Sequence, residues 1–226
     1  MTAESTLCSD KDLESPLGKE DQKVMTILVV IGHPLEGSLN HSLAESYVQS
    51  ARAEGTEVEI IDLAREHFEL SPQQSRSELR ALDAESLKSK GEVIVSMVEK
   101  VERSKHIVIF HPSWWGTYPA VLKGFIDRVF MSGVAFEYGE GNSWKRLWSG
   151  KTARIFTTMD SPSWFDRLWY RAPSAHSLKY PVLWYVGIKT IGISRFPQVR
   201  SSSEATRAGW LNKVAGIAGK DASKLR

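Results

Sequence analysis

The amino-acid sequence predicts an α/β fold in which helices cover both faces of a five-stranded parallel sheet. Short β-branched apolar runs alternate along the chain with segments whose apolar residues recur at helical spacing. The first run, Thr26–Ile31, is almost continuously apolar, as is typical of a strand buried on both faces. The chain has 226 residues, of which 42% are hydrophobic, so it can bury a sizeable core.

Each element follows from a local pattern. The predicted strands are, in chain order, Thr26–Ile31, Val58–Asp62, Ile107–Phe110, Ala153–Thr158 and Lys189–Phe196. The predicted helices are Ser42–Ala53, one that ends the helix-forming stretch Ser71–Arg103, Pro119–Phe130 and Ser203–Ile217. Five strands joined by helices fit a flavodoxin-like three-layer sandwich with the strand order 2-1-3-4-5.

The outer parts of the chain depart from this minimal plan. Residues 1–24 are polar and charged, which predicts a flexible N-terminal extension. Residues 25–226 then form one domain, with an insertion at about 160–185. A glycine- and aromatic-rich segment, Ala135–Trp148, is a second addition.

Composition excludes several classes of function. The net charge of +2 gives no electrostatic case for binding nucleic acid. One cysteine, Cys8, permits no intramolecular disulfide, and the scattered histidines lack the spacing of a metal site. No apolar run is long enough to span a membrane and no signal peptide is evident, so we expect a soluble cytoplasmic protein.

The turn after the first strand, Gly32–Asn40, joins a buried strand to a helix. A helix N-terminus carries unpaired N–H groups and partial positive charge, which suit a phosphate. Ser38 and Asn40 add side-chain donors, and His33 can add another. The turn is neither a dinucleotide fingerprint nor a triphosphate-binding loop. Local physics leaves two interpretations open: a phosphate site, or a turn in which Ser38 or Asn40 caps the helix.

The loop after the third strand adds a long motif. Residues 112–130 read P-S-W-W-G-T-Y-P-A-V-L-K-G-F-I-D-R-V-F, and the first turn reads G-H-P-L-E-G-S-L-N. Together they resemble the NAD(P)H:quinone oxidoreductase family of the flavodoxin-like superfamily, whose patterns are G-H-P-x-x-x-S-x-N and P-x-x-W-x-x-x-P-A-x-L-K-G-x-x-D/E-R-V-F. The resemblance runs from about Met25 to Ile217 and is weak between Ala64 and Arg103.

The resemblance implies a flavin site built from three loops. The residues implied to bind the flavin phosphate are His33, Ser38, Leu39 (through its backbone) and Asn40. Those implied to bind the isoalloxazine ring are Pro112, Ser113, Trp114, Trp115 and Gly116, together with Thr157, Thr158, Met159 and Asp160 after the fourth strand.

Two departures from the family pattern matter. Many members have a Gly-Gly turn where this chain has Met159–Pro162, so the backbone donors to the ring differ there. Members that use FAD place an arginine near the final helix, where this chain has Ser203. Arg200 or Arg207 could substitute, but the difference favours FMN over FAD.

The resemblance also implies an activity: two-electron reduction of a quinone or related acceptor by NADH or NADPH, with ping-pong hydride transfer through the flavin. It further implies a homodimer. The candidate proton donors by position are Tyr118, Asp160, Tyr170 and His176. The alternatives are a non-enzymatic flavin-binding electron carrier or regulatory subunit, and an interaction domain with a tryptophan-rich surface.

Overall fold

The computed structural model of the chain describes residues 26–70 and 84–225, without the side chains of residues 84–92. The predicted extension at residues 1–24 therefore lies outside the described residues. The strands are β1 (Thr26–Ile31), β2 (Glu57–Asp62), β3 (Ser104–Pro112), β4 (Phe136–Tyr138), β5 (Trp144–Arg146), β6 (Thr152–Thr158) and β7 (Lys189–Phe196). The α-helices are α1 (Leu39–Ala53), α2 (Ala84–Arg103), α3 (Ala120–Val129), α4 (Ser163–Leu168), α5 (Pro173–Ser177) and α6 (Glu204–Ser223).

The central sheet has the order β2-β1-β3-β6-β7, and every neighbouring pair is parallel. This confirms the predicted order 2-1-3-4-5, because β6 and β7 are the fourth and fifth strands of that sheet. The sheet has a helical layer on each face. Every residue of β1 is buried, as its uninterrupted apolar sequence predicted.

Two hydrophobic clusters lie on opposite faces of the sheet. On one face α1 and α6 pack against β1, β3 and β6, with the rings of Tyr47, Phe110 and Phe156 at its centre. On the other face α2 and α3 cover the alternate residues of the same strands. Because helices cover both faces of the sheet, a ligand site is expected at the ends of the strands.

Several element boundaries differ from the sequence-based expectation, and one pair of strands was not expected. Helix α1 begins at Leu39 rather than Ser42, so Asn40 belongs to its first turn. Strand β3 extends to Pro112, and α6 continues to Ser223. The segment Ala135–Trp148 contains the antiparallel hairpin β4–β5, which the sequence patterns did not reveal.

The insertion after β6 is largely helical. It contains α4, α5 and a π-helical segment, Leu178–Trp184, which leads into the last strand. Within residues 26–70 and 84–225, the helices are all too short or too polar to cross a membrane.

Candidate functional site at the carboxyl edge of the sheet

The loops that follow β1, β3 and β6 are held side by side at one edge of the sheet. The N–H of Gly32 donates to Phe110 O at 2.7 Å, and the N–H of Ser113 donates to Thr158 O at 2.7 Å. These bonds extend the parallel ladders beyond the strands into the loops. The carboxyl ends of neighbouring parallel strands are where ligands bind in open α/β sheets.

The first loop ends at Ser38, which precedes α1 with extended backbone (φ −72°, ψ 163°). The Ser38 hydroxyl does not cap the helix. Its Oγ lies instead 2.7 Å from Nδ1 of His41. Ser38 thus occupies the N-cap position, and its carbonyl accepts the N–H groups of His41 and Ser42, but the expectation that its side chain caps the helix is wrong. The first-turn N–H groups of α1 remain directed at the loop, as at any helix N-terminus.

Asn40 connects the first loop to the third. Its side chain is buried, and Nδ2 donates to Thr158 Oγ1 at 3.0 Å. Asn40 Oδ1 and Thr157 Oγ1 are also buried, and neither has a hydrogen-bond partner among the described residues. Buried polar atoms normally find a partner, so these two atoms fit a site that a polar ligand completes.

His33 connects the first loop to the second. Its ring meets the indole of Trp114 edge-on, with 5.5 Å between the ring centroids. Burial lowers the pKa of His33, an effect that a hydrogen bond with the backbone of Leu35 only partly opposes. The imidazole is therefore neutral near pH 7.

The second loop presents its aromatic residues on a tight turn. Trp114 and Thr117 exchange two backbone hydrogen bonds, of 2.8 and 2.9 Å. Between them, Trp115 and Gly116 have left-handed backbone, with φ of +51° and +74°. A non-glycine residue pays about 1 kcal/mol or more for that conformation. The turn holds the indole of Trp115 fully exposed, beside the half-exposed indole of Trp114.

The residues predicted to bind the flavin through the third loop lie in two different environments. Thr157, Thr158 and Met159 are buried at the end of β6. Asp160 turns toward the loop after β7, where its Oδ1 accepts the N–H of Arg200 at 2.9 Å. Thus Asp160 does not join the contacts that connect Asn40 with the threonines.

The other candidate proton donors occupy two environments. Tyr118 is buried, and burial raises the pKa of its hydroxyl although a hydrogen bond with Ser177 opposes this. That hydroxyl stays protonated at neutral pH. Tyr170 and His176 are exposed on the insertion.

Sequence patterns missed three polar groups near these loops. His41, in the first turn of α1, lies with Nε2 3.1 Å from Asp62 Oδ1 at the end of β2. His111, fully buried on β3, has its pKa lowered to about 4 by burial and is neutral. The spacing of Ser38 and His41 is one helical turn, and Asp62 ends the strand beside β1, so both positions carried a detectable signal.

Comparison with known proteins agrees with this architecture. Residues 25–215 match the model of a family described as having a flavodoxin-like fold. A ribosyldihydronicotinamide dehydrogenase-like protein of Penicillium crustosum, traD, is 29% identical over 178 residues, which cover 70% of this chain and 63% of that protein. The ribosyldihydronicotinamide dehydrogenase (quinone) of Rattus norvegicus is 25% identical over 217 residues, which cover 84% and 91%. The chain thus spans less than two thirds of the fungal relative.

Two solved structures share the fold. Smu.1420 from Streptococcus mutans UA159 superposes with a TM-score of 0.72 and 27% identity, over 87% of this chain and 100% of that one. An FMN-dependent NADH-azoreductase from Bacillus anthracis, solved in complex with FMN, superposes with a TM-score of 0.70 and 18% identity, over 88% and 99%. The chain therefore belongs to the flavodoxin-like fold family, among the relatives of the NAD(P)H:quinone oxidoreductases.

Proposed function

We propose that this protein is a flavin-dependent NAD(P)H oxidoreductase that makes two-electron reductions of quinones or related acceptors. The observation that carries the proposal is the meeting of three loops at the carboxyl edge of the sheet. There the N-terminus of α1 lies beside two buried polar atoms, Asn40 Oδ1 and Thr157 Oγ1, that have no hydrogen-bond partner within residues 26–70 and 84–225. The names of the relatives supply the class of donor and acceptor.

The chain's own residues divide the work of binding. The first-turn amides of α1 and Ser38 hold a phosphate, since a helix N-terminus favours an anion. Trp114 and Trp115 would flank a planar ring, and Ser113 with Thr157 and Thr158 would hold its polar edge. A bound flavin supplies the hydride chemistry. Because the indoles of Trp114 and Trp115 are exposed, the nicotinamide donor and the acceptor would reach a bound flavin in turn from this side, which is a ping-pong order.

The flavin we propose is FMN. Ser203, at the position where FAD-using members place an arginine, caps α6 by accepting the N–H of Thr206 at 3.2 Å. The nearby Arg207 is held by its own loop, because Nε donates to Ser202 Oγ at 2.9 Å and a terminal nitrogen donates to Val199 O at 3.0 Å. Neither residue is arranged for a second phosphate.

The proposal is tested by the purified protein itself. We expect a yellow protein whose released cofactor has the mass of FMN. NADH or NADPH should bleach it without oxygen, and a quinone should restore the colour over many turnovers. Protein that takes up neither FMN nor FAD would contradict the proposal, and bleaching without steady-state turnover would support the electron-carrier alternative.

We further propose that the protein is a homodimer. The insertion that follows the third loop exposes large aromatic side chains, with Trp164 63% and Trp169 75% exposed. The same insertion adjoins the second loop through α5, because a Cβ added at Gly116 would lie 3.5 Å from Cγ of Pro173. Single exposed aromatics are normal, but a contiguous group beside a site is typical of an interface. The measurement is sedimentation equilibrium, in which a strict monomer of 25.4 kDa would contradict a dimer.

A further inference from the structure

A chain of hydrogen bonds runs from the proposed phosphate site to the edge of the sheet. Ser38 Oγ lies 2.7 Å from Nδ1 of His41, and Nε2 of the same imidazole lies 3.1 Å from Asp62 Oδ1. Both ring nitrogens of His41 are therefore engaged, and the side chains of His41 and Asp62 are only about 15% exposed. The carboxylate of Asp62 also accepts the N–H of Ala64 at 3.1 Å, which fixes its orientation.

This geometry determines where the protons lie. A carboxylate only accepts, so Nε2 of His41 carries a proton that it donates to Asp62. In a neutral imidazole Nδ1 then has a lone pair, and the Ser38 hydroxyl donates to it. The Ser38 oxygen consequently presents only lone pairs to an anion at the helix N-terminus. When the imidazole is protonated, Nδ1–H donates to Ser38 Oγ, and the hydroxyl proton is free to donate to the anion.

The charges around the loop favour the second arrangement once a phosphate binds. Residues 32–42 contain no lysine or arginine. His33 is kept neutral by burial, which lowers its pKa. Arg65 contacts Glu36 at 2.9 Å and Asp62 at 3.3 Å, so its charge is shared between two carboxylates. His41 is therefore the group in this loop that is placed to supply a positive charge.

We propose that His41 is a positioning residue that takes up a proton from solvent when a phosphate monoester dianion binds at the N-terminus of α1. The proton converts Ser38 from an acceptor into a donor toward the phosphate, and Asp62 holds the resulting imidazolium. Two groups face His41 directly: Asp62 from the end of β2, and His33 from the first loop, whose ring centroid lies 6.1 Å away. Arg65 and Glu36 lie on the far side of Asp62 and pair with each other. This inference rests on the proposed FMN site.

The test compares two flavins that differ only in the phosphate. Calorimetric titration of the flavin-free protein with FMN and with riboflavin, at pH 8 in buffers of different ionisation enthalpy, measures the protons taken up. At pH 8 the FMN phosphate is already a dianion, because the second pKa of a phosphate monoester is about 6. We expect FMN binding to take up a substantial fraction of one proton, and riboflavin binding to take up none.

Variants identify the residue responsible. His41→Gln should abolish the proton uptake, and Asp62→Asn should reduce it. In the native protein the ratio of FMN to riboflavin affinity should fall by about tenfold or more between pH 6 and pH 8, the size expected of a charge-assisted hydrogen bond. In His41→Gln that fall should be absent. The matched control is His67→Gln, which alters an exposed histidine whose Nδ1 lies 3.0 Å from the carbonyl oxygen of Arg65.

The outcomes separate this inference from the proposed function. Failure to bind either flavin would overturn the proposed FMN site. Binding of FMN by His41→Gln with undiminished proton uptake would overturn the role of His41 alone. Circular dichroism of each variant establishes that it is folded. If His41→Gln does not fold, the test uses Asp62→Asn, in which unchanged proton uptake would count against the proposal.

Discussion

Replacing Asp221 with asparagine should lower the free energy of unfolding by about 3 to 5 kcal/mol, the usual cost of removing one partner from a buried ion pair. Asp221 is 2% exposed on α6. It accepts two hydrogen bonds from Arg154 of β6, of 2.6 and 2.7 Å, and one from the hydroxyl of Tyr47 on α1, of 3.0 Å. His106 Nε2 of β3 lies 3.5 Å away. The substitution leaves the guanidinium of Arg154 without its counter-ion, and urea unfolding monitored by circular dichroism measures the loss.

Two comparisons isolate the cause. Asp127→Asn breaks an exposed pair with Lys123 one turn away on α3, and it should change stability by only about 0.5 kcal/mol or less. The double replacement of Arg154 by methionine and Asp221 by leucine should lose less than Asp221→Asn alone, because no uncompensated charge remains. A single variant as stable as the native protein would show that the pair contributes nothing.

The same carboxylate predicts how stability depends on pH. Burial alone would raise the pKa of Asp221, but the hydrogen-bonded guanidinium of Arg154 and the nearby imidazole of His106 outweigh it and hold that pKa well below its ordinary value. A group whose pKa is depressed in the folded state stabilises the protein above its unfolded pKa, about 3.9 for aspartate. Native stability should therefore fall as the pH drops below about 4. Asp221→Asn should lack this part of the acid dependence.

This buried network marks the limit of what the sequence could predict. Strand order followed from uninterrupted apolar runs such as Thr26–Ile31, because a strand buried on both faces tolerates few polar residues. Asp221 on α6 contacts Arg154 and Tyr47, which lie 67 and 174 positions earlier in the chain. No local sequence pattern indicates contacts over such separations. The hairpin β4–β5 escaped prediction for a different reason, since strands of three residues are too short to show alternation.

The site shows the same division between local and long-range information. The three loops were predictable because every parallel strand places its carboxyl end at one edge of the sheet. The partners of individual side chains were not predicted. Ser38 was expected to cap α1 or bind phosphate, and the contact of its hydroxyl with His41, one helical turn away, was not foreseen. Asp160 follows β6 as expected, but the chain beyond β7 returns close enough for Arg200 to bind its carboxylate.

Replacing Ser38 with aspartate should greatly weaken FMN binding while leaving the fold intact, provided that the proposed phosphate site is correct. Aspartate is as good an N-cap as serine, and its charge interacts favourably with the helix dipole, so stability should be unchanged or higher by about 0.3 to 1 kcal/mol. The same charge would stand where the phosphate binds. Two unit charges 4 Å apart near a protein surface repel by about 4 kcal/mol, so FMN affinity should fall by at least about a hundredfold.

Riboflavin and a second serine make this result specific. Riboflavin lacks the phosphate, so its affinity for the Ser38→Asp variant should stay within about threefold of the native value, because no charged group of the ligand meets the new carboxylate. Ser203→Asp places the same charge on the N-cap of α6, and it should leave FMN affinity unchanged because that serine only caps its helix. Fluorescence quenching of each flavin on binding gives both affinities. Equal losses for FMN and riboflavin would mean that the phosphate does not bind at Ser38, whereas a loss for FMN in Ser203→Asp would mean that the cofactor reaches α6 and carries more than one phosphate.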